Sequence, residues 1–209
     1  MTENCRRKKN NSALIYHKWY RAPYRVVTVL KKFTLYEVLM KNILIIISGM
    51  PATGKTRFAE WLSIKISASL LSLDEVWEKS SVIAIPFAQY WTLCEDKMKL
   101  SSPLIIEFGF DSKTKSMIES LIKKYNYQTI NIHFDTSFEN AHCRFNDRRL
   151  NEMGGSKPQI TFEQYMKIAG QGREFRFGER VILVDTTDFA TVSYEDITEQ
   201  IIQYIMRTI

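Results

Sequence analysis

The sequence predicts an α/β domain, a mostly parallel sheet with helices on both faces, and three observations predict it. Short apolar runs rich in β-branched residues alternate with longer amphipathic stretches, the pattern of strand and helix units. Several of these runs end in an acid at the strand exit: Asp74, Glu107 and Asp185. Between the first run and the first helical stretch stands Gly49-Met50-Pro51-Ala52-Thr53-Gly54-Lys55-Thr56, which satisfies G-x-x-x-x-G-K-S/T at every fixed position.

The first run, Ile43-Leu44-Ile45-Ile46-Ile47-Ser48, has no alternation, as expected of a parallel strand buried on both faces. After the loop, Phe58, Trp61, Leu62 and Lys65 recur at helical spacings. Strand, loop and helix therefore follow in the order a phosphate-binding loop needs. Glycines let the backbone turn its N–H groups inward around phosphate oxygens, and the helix adds the positive end of its dipole. Gly49, Pro51, Ala52, Thr53 and Gly54 form the expected cradle, with Arg57 just beyond it. Lys55 is expected between the β and γ phosphates and the Thr56 hydroxyl on Mg²⁺.

At 209 residues, 45% hydrophobic and 25% charged, the chain suits one globular α/β domain. No apolar run approaches the roughly 20 residues of a membrane-spanning helix. Cys5, Cys94 and Cys143 have no C-x-x-C spacing, which indicates neither a disulfide framework nor a zinc site, and a reducing cytoplasm is the default expectation. The net charge of +6 is unevenly placed: Met1–Lys41 hold ten Lys or Arg and two acids, so the remainder is near −2. This excludes a basic stripe along the body and leaves nucleic acid only a weak, non-specific attraction to the leader. Residues 1–40 read as a basic, poorly structured extension, with Arg6-Arg7-Lys8-Lys9 as a solvated or targeting tail. Residues 41–209 read as the ATP-binding domain, with Met40 as a natural start.

Ala68 to Asp74 reads as a second strand with Asp74 at its carboxyl end, the edge where open parallel sheets bind ligands. Asp74 is placed to orient or deprotonate an attacking hydroxyl or to reach Mg²⁺ through water; it also fits a helix N-cap. A helix near Phe87–Lys97 follows, and Trp77, Phe87, Tyr90 and Trp91 either line an acceptor pocket or pack the core. Leu104-Ile105-Ile106-Glu107 is a third strand ending in an acid suited to Mg²⁺ through its waters, with Asp111 a weaker candidate. A helix from Ser112 to Tyr125 has Met117, Leu121 and Ile122 on one side. Thr129 to Phe134 alternates as a fourth strand in which His133 is half-buried.

The helix from Ser137 to Leu150 carries Arg144, Arg148 and Arg149 toward a flexible stretch, Asn151 to Pro158. Arginines there either fold over a triphosphate as a lid or simply complement the helix C-terminus. A helix at Phe162–Gly172, then Arg173, Arg176 and Arg180, leads to a fifth strand at Val181, whose exit residues Asp185 and Thr186 are candidates to wall the nucleotide base. Glu195 to Met206 closes the chain as a helix covering the sheet.

In this order the phosphate loop, Leu71-Ser72-Leu73-Asp74, Leu104 to Phe110, the arginines and Val181 to Asp185 resemble the AAA-type P-loop kinase family. That family is related to zeta toxin, chloramphenicol phosphotransferase and the 5′-kinase half of polynucleotide kinase. The resemblance spans Lys41 to about Asp188. It implies a three-layer fold with a five-stranded parallel sheet in the order 2-3-1-4-5, Mg-ATP as donor, and an acid after strand two serving the acceptor hydroxyl. Two positions depart from the pattern. Trp77 stands where polynucleotide kinases have arginine, and Ala52 where glycine is common.

The reading is an ATP-dependent phosphotransferase to the hydroxyl of a small molecule. Lys55, Asp74, Arg144 and Arg148 are its catalytic candidates, Arg148 and Asp185 further nucleotide contacts, and Thr56 and Glu107 the Mg²⁺ candidates. An ATPase or nucleotide-gated binding protein is the alternative, and a polynucleotide 5′-hydroxyl kinase the third. Asp74 favours the first over the second, since hydrolysis needs no acceptor base.

Overall fold

A computed structural model describes residues 40–72, 86–107, 112–151, 158–178 and 180–207. Five parallel strands, β1 (Ile43–Gly49), β2 (Ser69–Ser72), β3 (Leu104–Glu107), β4 (Gln128–Asp135) and β5 (Val181–Asp185), form one sheet in the order β2-β3-β1-β4-β5. This is the order the resemblance implies. The helices are α1 (Lys55–Lys65), α2 (Pro86–Lys99), α3 (Ser112–Tyr125), α4 (Phe138–Asn151), α5 (Phe162–Glu174) and α6 (Tyr194–Arg207), with a 3₁₀ turn at Phe189–Thr191. Residues 40–209 form one compact unit, with Met40 buried at its start. Residues 1–39, most of the expected extension, lie outside the described residues, as do Asp74, Trp77, Asp111 and the centre of the 151–158 stretch.

All seven residues of β1 are buried, which is why its isoleucines run without polar interruption. β1 pairs with β3 from Leu44↔Leu104 to Ile47↔Glu107, and with β4 from Ile43↔Gln128 to Gly49↔Phe134. Leu44 and Ile46 point to one face, where they join Leu71, Tyr90, Trp91, Cys94, Met98 and Ile118. Tyr90 and Trp91 are thus core residues, one of the two roles open to them. On α3 it is Ile118 that is buried, whereas Met117, expected on the apolar side, is 40% exposed. The opposite face is built on Phe58, whose ring lies 5.3 Å from Phe134 and 5.0 Å from Tyr194, joining α1 to β4 and α6. Burying such aromatics contributes on the order of 2 kcal/mol each beyond exposure.

Because the chain moves from β1 outward to β2, returns through β3 and crosses to β4, the sheet has its switch point at the carboxyl end of β1. That is the crevice in which open α/β sheets bind ligands. The phosphate loop leaves β1 there. No described helix is long and apolar enough to cross a membrane.

Candidate functional site

The loop is shaped by three residues with positive φ: Gly49 (+136°), Ala52 (+65°) and Gly54 (+90°). A side chain at Gly49 would collide with the carbonyl oxygen of Phe134 on β4, so the first glycine is required sterically as well as conformationally. Inside the loop, the Met50 carbonyl accepts from Thr53 Oγ1 at 2.8 Å and from Lys55 Nζ at 2.7 Å. Lys55, only 7% exposed, therefore lies across the loop at the head of α1. Thr56 and Arg57 occupy the first turn of that helix.

The outer wall of the loop comes from α4 and α5. Met50 is enclosed by Ala141, Tyr165 and Ala169, with Phe138, Phe145 and Ile160 around them. Fully buried Tyr165 donates from Oη to the Pro51 carbonyl at 2.8 Å. Burial pushes its phenol well above the ordinary range, which keeps it a donor at any working pH. A Cβ on Gly172 would lie 3.2 Å from the Gly49 carbonyl, so α5 seats directly on the loop.

Beneath the loop lies a polar network that sequence reasoning missed. His133 is fully buried rather than half-buried. Its Nε2 faces Arg176 Nη1 at 2.6 Å, and its Nδ1 faces Ser48 Oγ at 2.9 Å. A guanidinium only donates, so Nε2 accepts, and the neutral ring donates from Nδ1 to Ser48. Burial, then the charges of Arg176 and Lys55, lower the His133 pKa to about 3. Asn131 Nδ2 donates to Ser48 Oγ at 2.8 Å and to the Ile46 carbonyl at 2.9 Å, while its Oδ1 accepts from Phe177 N–H. The signal available in the sequence was an Asn and a His alternating with the apolar residues of Ile130–Phe134, the buried stretch of β4.

The three arginines of α4 have different partners. Arg144 donates to the Thr186 and Thr187 carbonyls at 2.7 and 2.9 Å, and its guanidinium lies 4.0 Å from the centre of the Phe189 ring. It braces the loop after β5, whose Phe189 ring lies against Gly54 of the phosphate loop. Arg149 donates from Nε to the Pro158 carbonyl at 2.8 Å. Arg148 sits where its charge is felt by Tyr165, and its buried Nε has no hydrogen-bond partner among the described residues. An orphaned buried donor is the exception in folded proteins.

Glu107 is buried at the carboxyl end of β3 and accepts from Ser72 Oγ at 3.0 Å, its register partner on β2. Asp185 is exposed and turned back on its own chain: its carboxylate accepts from Thr187, which lowers its pKa. Thr186 is fully buried, with both N and Oγ1 on the Asp135 carbonyl. The cleft beside Gly54, about 330 Å³, is lined instead by Arg57, Trp61, Phe189, Val192, Tyr194 and Glu195. Its aromatic walls suit a flat ring; of them only Trp61 was singled out in the sequence, as a helix residue, and Phe189 and Tyr194 were passed over. Among the described residues no group of three His, Cys, Asp or Glu is arranged to hold a metal.

Several solved structures share this architecture. One is a protein of Chloroflexus aurantiacus provisionally named a kinase, 20% identical, with a TM-score of 0.67 over 80% of this chain and 98% of that one. Another is a gluconokinase from Sinorhizobium meliloti, 12% identical, with a TM-score of 0.52 over 80% and 93%. A third is an APS kinase from Mycobacterium tuberculosis, solved with AMPPNP and APS, 10% identical, with a TM-score of 0.54 over 80% and 98%. No protein-family model and no curated protein matches the chain. The fold is that of the P-loop kinases.

Proposed function

We propose that the protein is an Mg-ATP-dependent phosphotransferase that moves the γ-phosphate of ATP to a hydroxyl of a small molecule. The observation that carries this reading is the loop itself: left-handed at three positions, crossed by a buried lysine, and placed at the switch point of the sheet. The gluconokinase and APS kinase that share the fold are small-molecule kinases by name, which supports the same class.

In this reading the inward N–H groups of residues 52–56 and the Lys55 ammonium hold the β and γ phosphates, and Arg148, whose buried Nε lacks a hydrogen-bond partner among the described residues, serves the transferring group. Magnesium, when bound, shields the charge on the phosphate oxygens. Thr56 would ligate it directly and Glu107, held by Ser72, would act through water. A donor set this sparse fits magnesium, which keeps most of its waters and takes substrate phosphates as ligands. Asp74 accepts the proton of the acceptor hydroxyl as the new O–P bond forms, the bond from Pγ to the bridging oxygen breaks and ADP leaves. The base occupies the cleft of Trp61, Phe189 and Tyr194.

The test uses Asp74→Asn, which keeps size and hydrogen bonding but removes the base. Transfer of labelled phosphate across a panel of sugars, nucleosides, antibiotics and oligonucleotide ends should fall by about 10²- to 10⁴-fold. ATP affinity should hardly move. Collapse of ATP binding together with turnover would make Asp74 a metal or structural residue. Unchanged transfer would reduce it to a helix cap and favour an ATPase or binding protein.

A further inference from the structure

On the face of the sheet that carries α3, a groove of about 410 Å³ runs between that helix and the chain leaving α5, lined by Lys115, Glu119, Ile122, Lys123 and Arg176-Phe177-Gly178. The α3 residues fall three to four apart and so share one helix face. Three cations meet one acid here, and among the described residues neither Lys115 nor Lys123 forms an ion pair. Arg176 is fixed by one nitrogen, Nη1, which donates to His133 Nε2 and to the Arg173 and Phe175 carbonyls at 2.6, 2.7 and 3.0 Å. All three acceptors are neutral. Burial disfavours the guanidinium's charge, and Asp135 only partly offsets this.

The two buried anchors of this wall lead to one residue. Arg176 reaches Ser48 through His133, and the Phe177 N–H reaches it through Asn131. Ser48 is the residue before Gly49, where the phosphate loop begins. We propose that this groove binds a small polyanion bearing phosphate or carboxylate groups, and that its occupancy is transmitted through Ser48 to the phosphate loop. Glu119 between the two lysines restricts the ligand to a short molecule, and the volume is that of a metabolite site. The groove's occupancy stands independently of the proposed activity; the coupling rests on the loop binding a nucleotide.

Inorganic phosphate and citrate, one for each ligand chemistry, are titrated separately into the full chain saturated with ADP, and the Gly178 and Gly49 amides are followed by NMR. At least one anion should give saturable shifts at Gly178 at roughly millimolar concentration, on the order of 10⁻³ M. Lys115→Glu combined with Lys123→Glu should weaken that binding at least about tenfold while leaving ADP affinity and melting temperature in place. The anion should also change ADP affinity by about fivefold, and ADP should change anion affinity by the same factor. This reciprocity should vanish in His133→Asn. No saturable shift with either anion, or the same saturation in the double variant, overturns the groove. Saturable binding without reciprocity overturns the coupling. Repeating the titration without ADP judges the groove even should ADP fail to bind, which would instead count against the phosphotransferase reading.

Discussion

Ala52 is the one residue of the phosphate loop that holds a left-handed backbone without being glycine. A Cβ in that region costs about 1–2 kcal/mol, of which a glycine would return part and lose part again to its freer unfolded chain. Ala52→Gly should therefore raise stability by about 0.5–1 kcal/mol, read by thermal denaturation, with phosphate transfer unchanged. A fall in stability would mean that the methyl group packs usefully. Lys55 is the opposite case, a residue whose position matters through its charge. Lys55→Ala removes the ammonium that follows the γ-phosphate into the transition state, and turnover should drop by at least about 10²- to 10³-fold with weaker ATP binding. Wild-type turnover would refute its assignment. Lys55 was legible from spacing alone, because the motif fixes its place in the loop, whereas Ala52 stood out only through the family resemblance, in which glycine is common there. Arg144 was not legible, because which of three arginines reaches a carbonyl, a ring or an open site depends on the loop after β5, distant in sequence.

At the scale of elements, α4 and α5 are joined across the 152–157 stretch by a polar strap. Asn146 holds both backbone groups of Ile160 at 3.0 Å, His142 donates to the same carbonyl at 2.8 Å, and Arg149 holds Pro158. Thr161 and Gln164 then close a capping box that starts α5. Asn146→Ala leaves the Ile160 N–H without its partner and should cost about 1–3 kcal/mol. The melting temperature should fall, and limited proteolysis should cut first near residues 152–160; unchanged stability and cleavage would show that water replaces the amide. The elements themselves were well marked in the sequence. Among the described residues, apolar period and flanking turn residues identified the five strands and six helices to within a few residues. The 3₁₀ turn at Phe189 was missed because three residues carry no period, and the strap because its Asn and His look like ordinary helix surface.

For the molecule as a whole, the buried His133 ties stability to pH. Its folded pKa, about 3, lies below the ordinary value of 6.5, so the unfolded chain takes up a proton that the folded chain refuses. This contribution is fully present above pH 6.5 and is lost as pH falls toward 3, by up to about 1.4 kcal/mol per pH unit. The melting temperature should decline from pH 7 to 5 in the wild type and more gently in His133→Asn; parallel declines would exclude His133 as the source. The strand order was readable only through family resemblance, since period tells what is a strand and not which strand is its neighbour. That same order bears on how the chain is made. Of the five strands of this sheet β1 comes first in the chain, yet it sits at the centre, paired with Leu104 on one side and Thr129 on the other. During synthesis the uncharged, β-branched run Ile43–Ile47 must wait for both partners to emerge, and such a run left unpaired is prone to associate with copies of itself. The segment that makes the finished sheet most secure is the one that most exposes the nascent chain to aggregation, so recovery on refolding should worsen with concentration and improve wherever a chaperone shields the first strand.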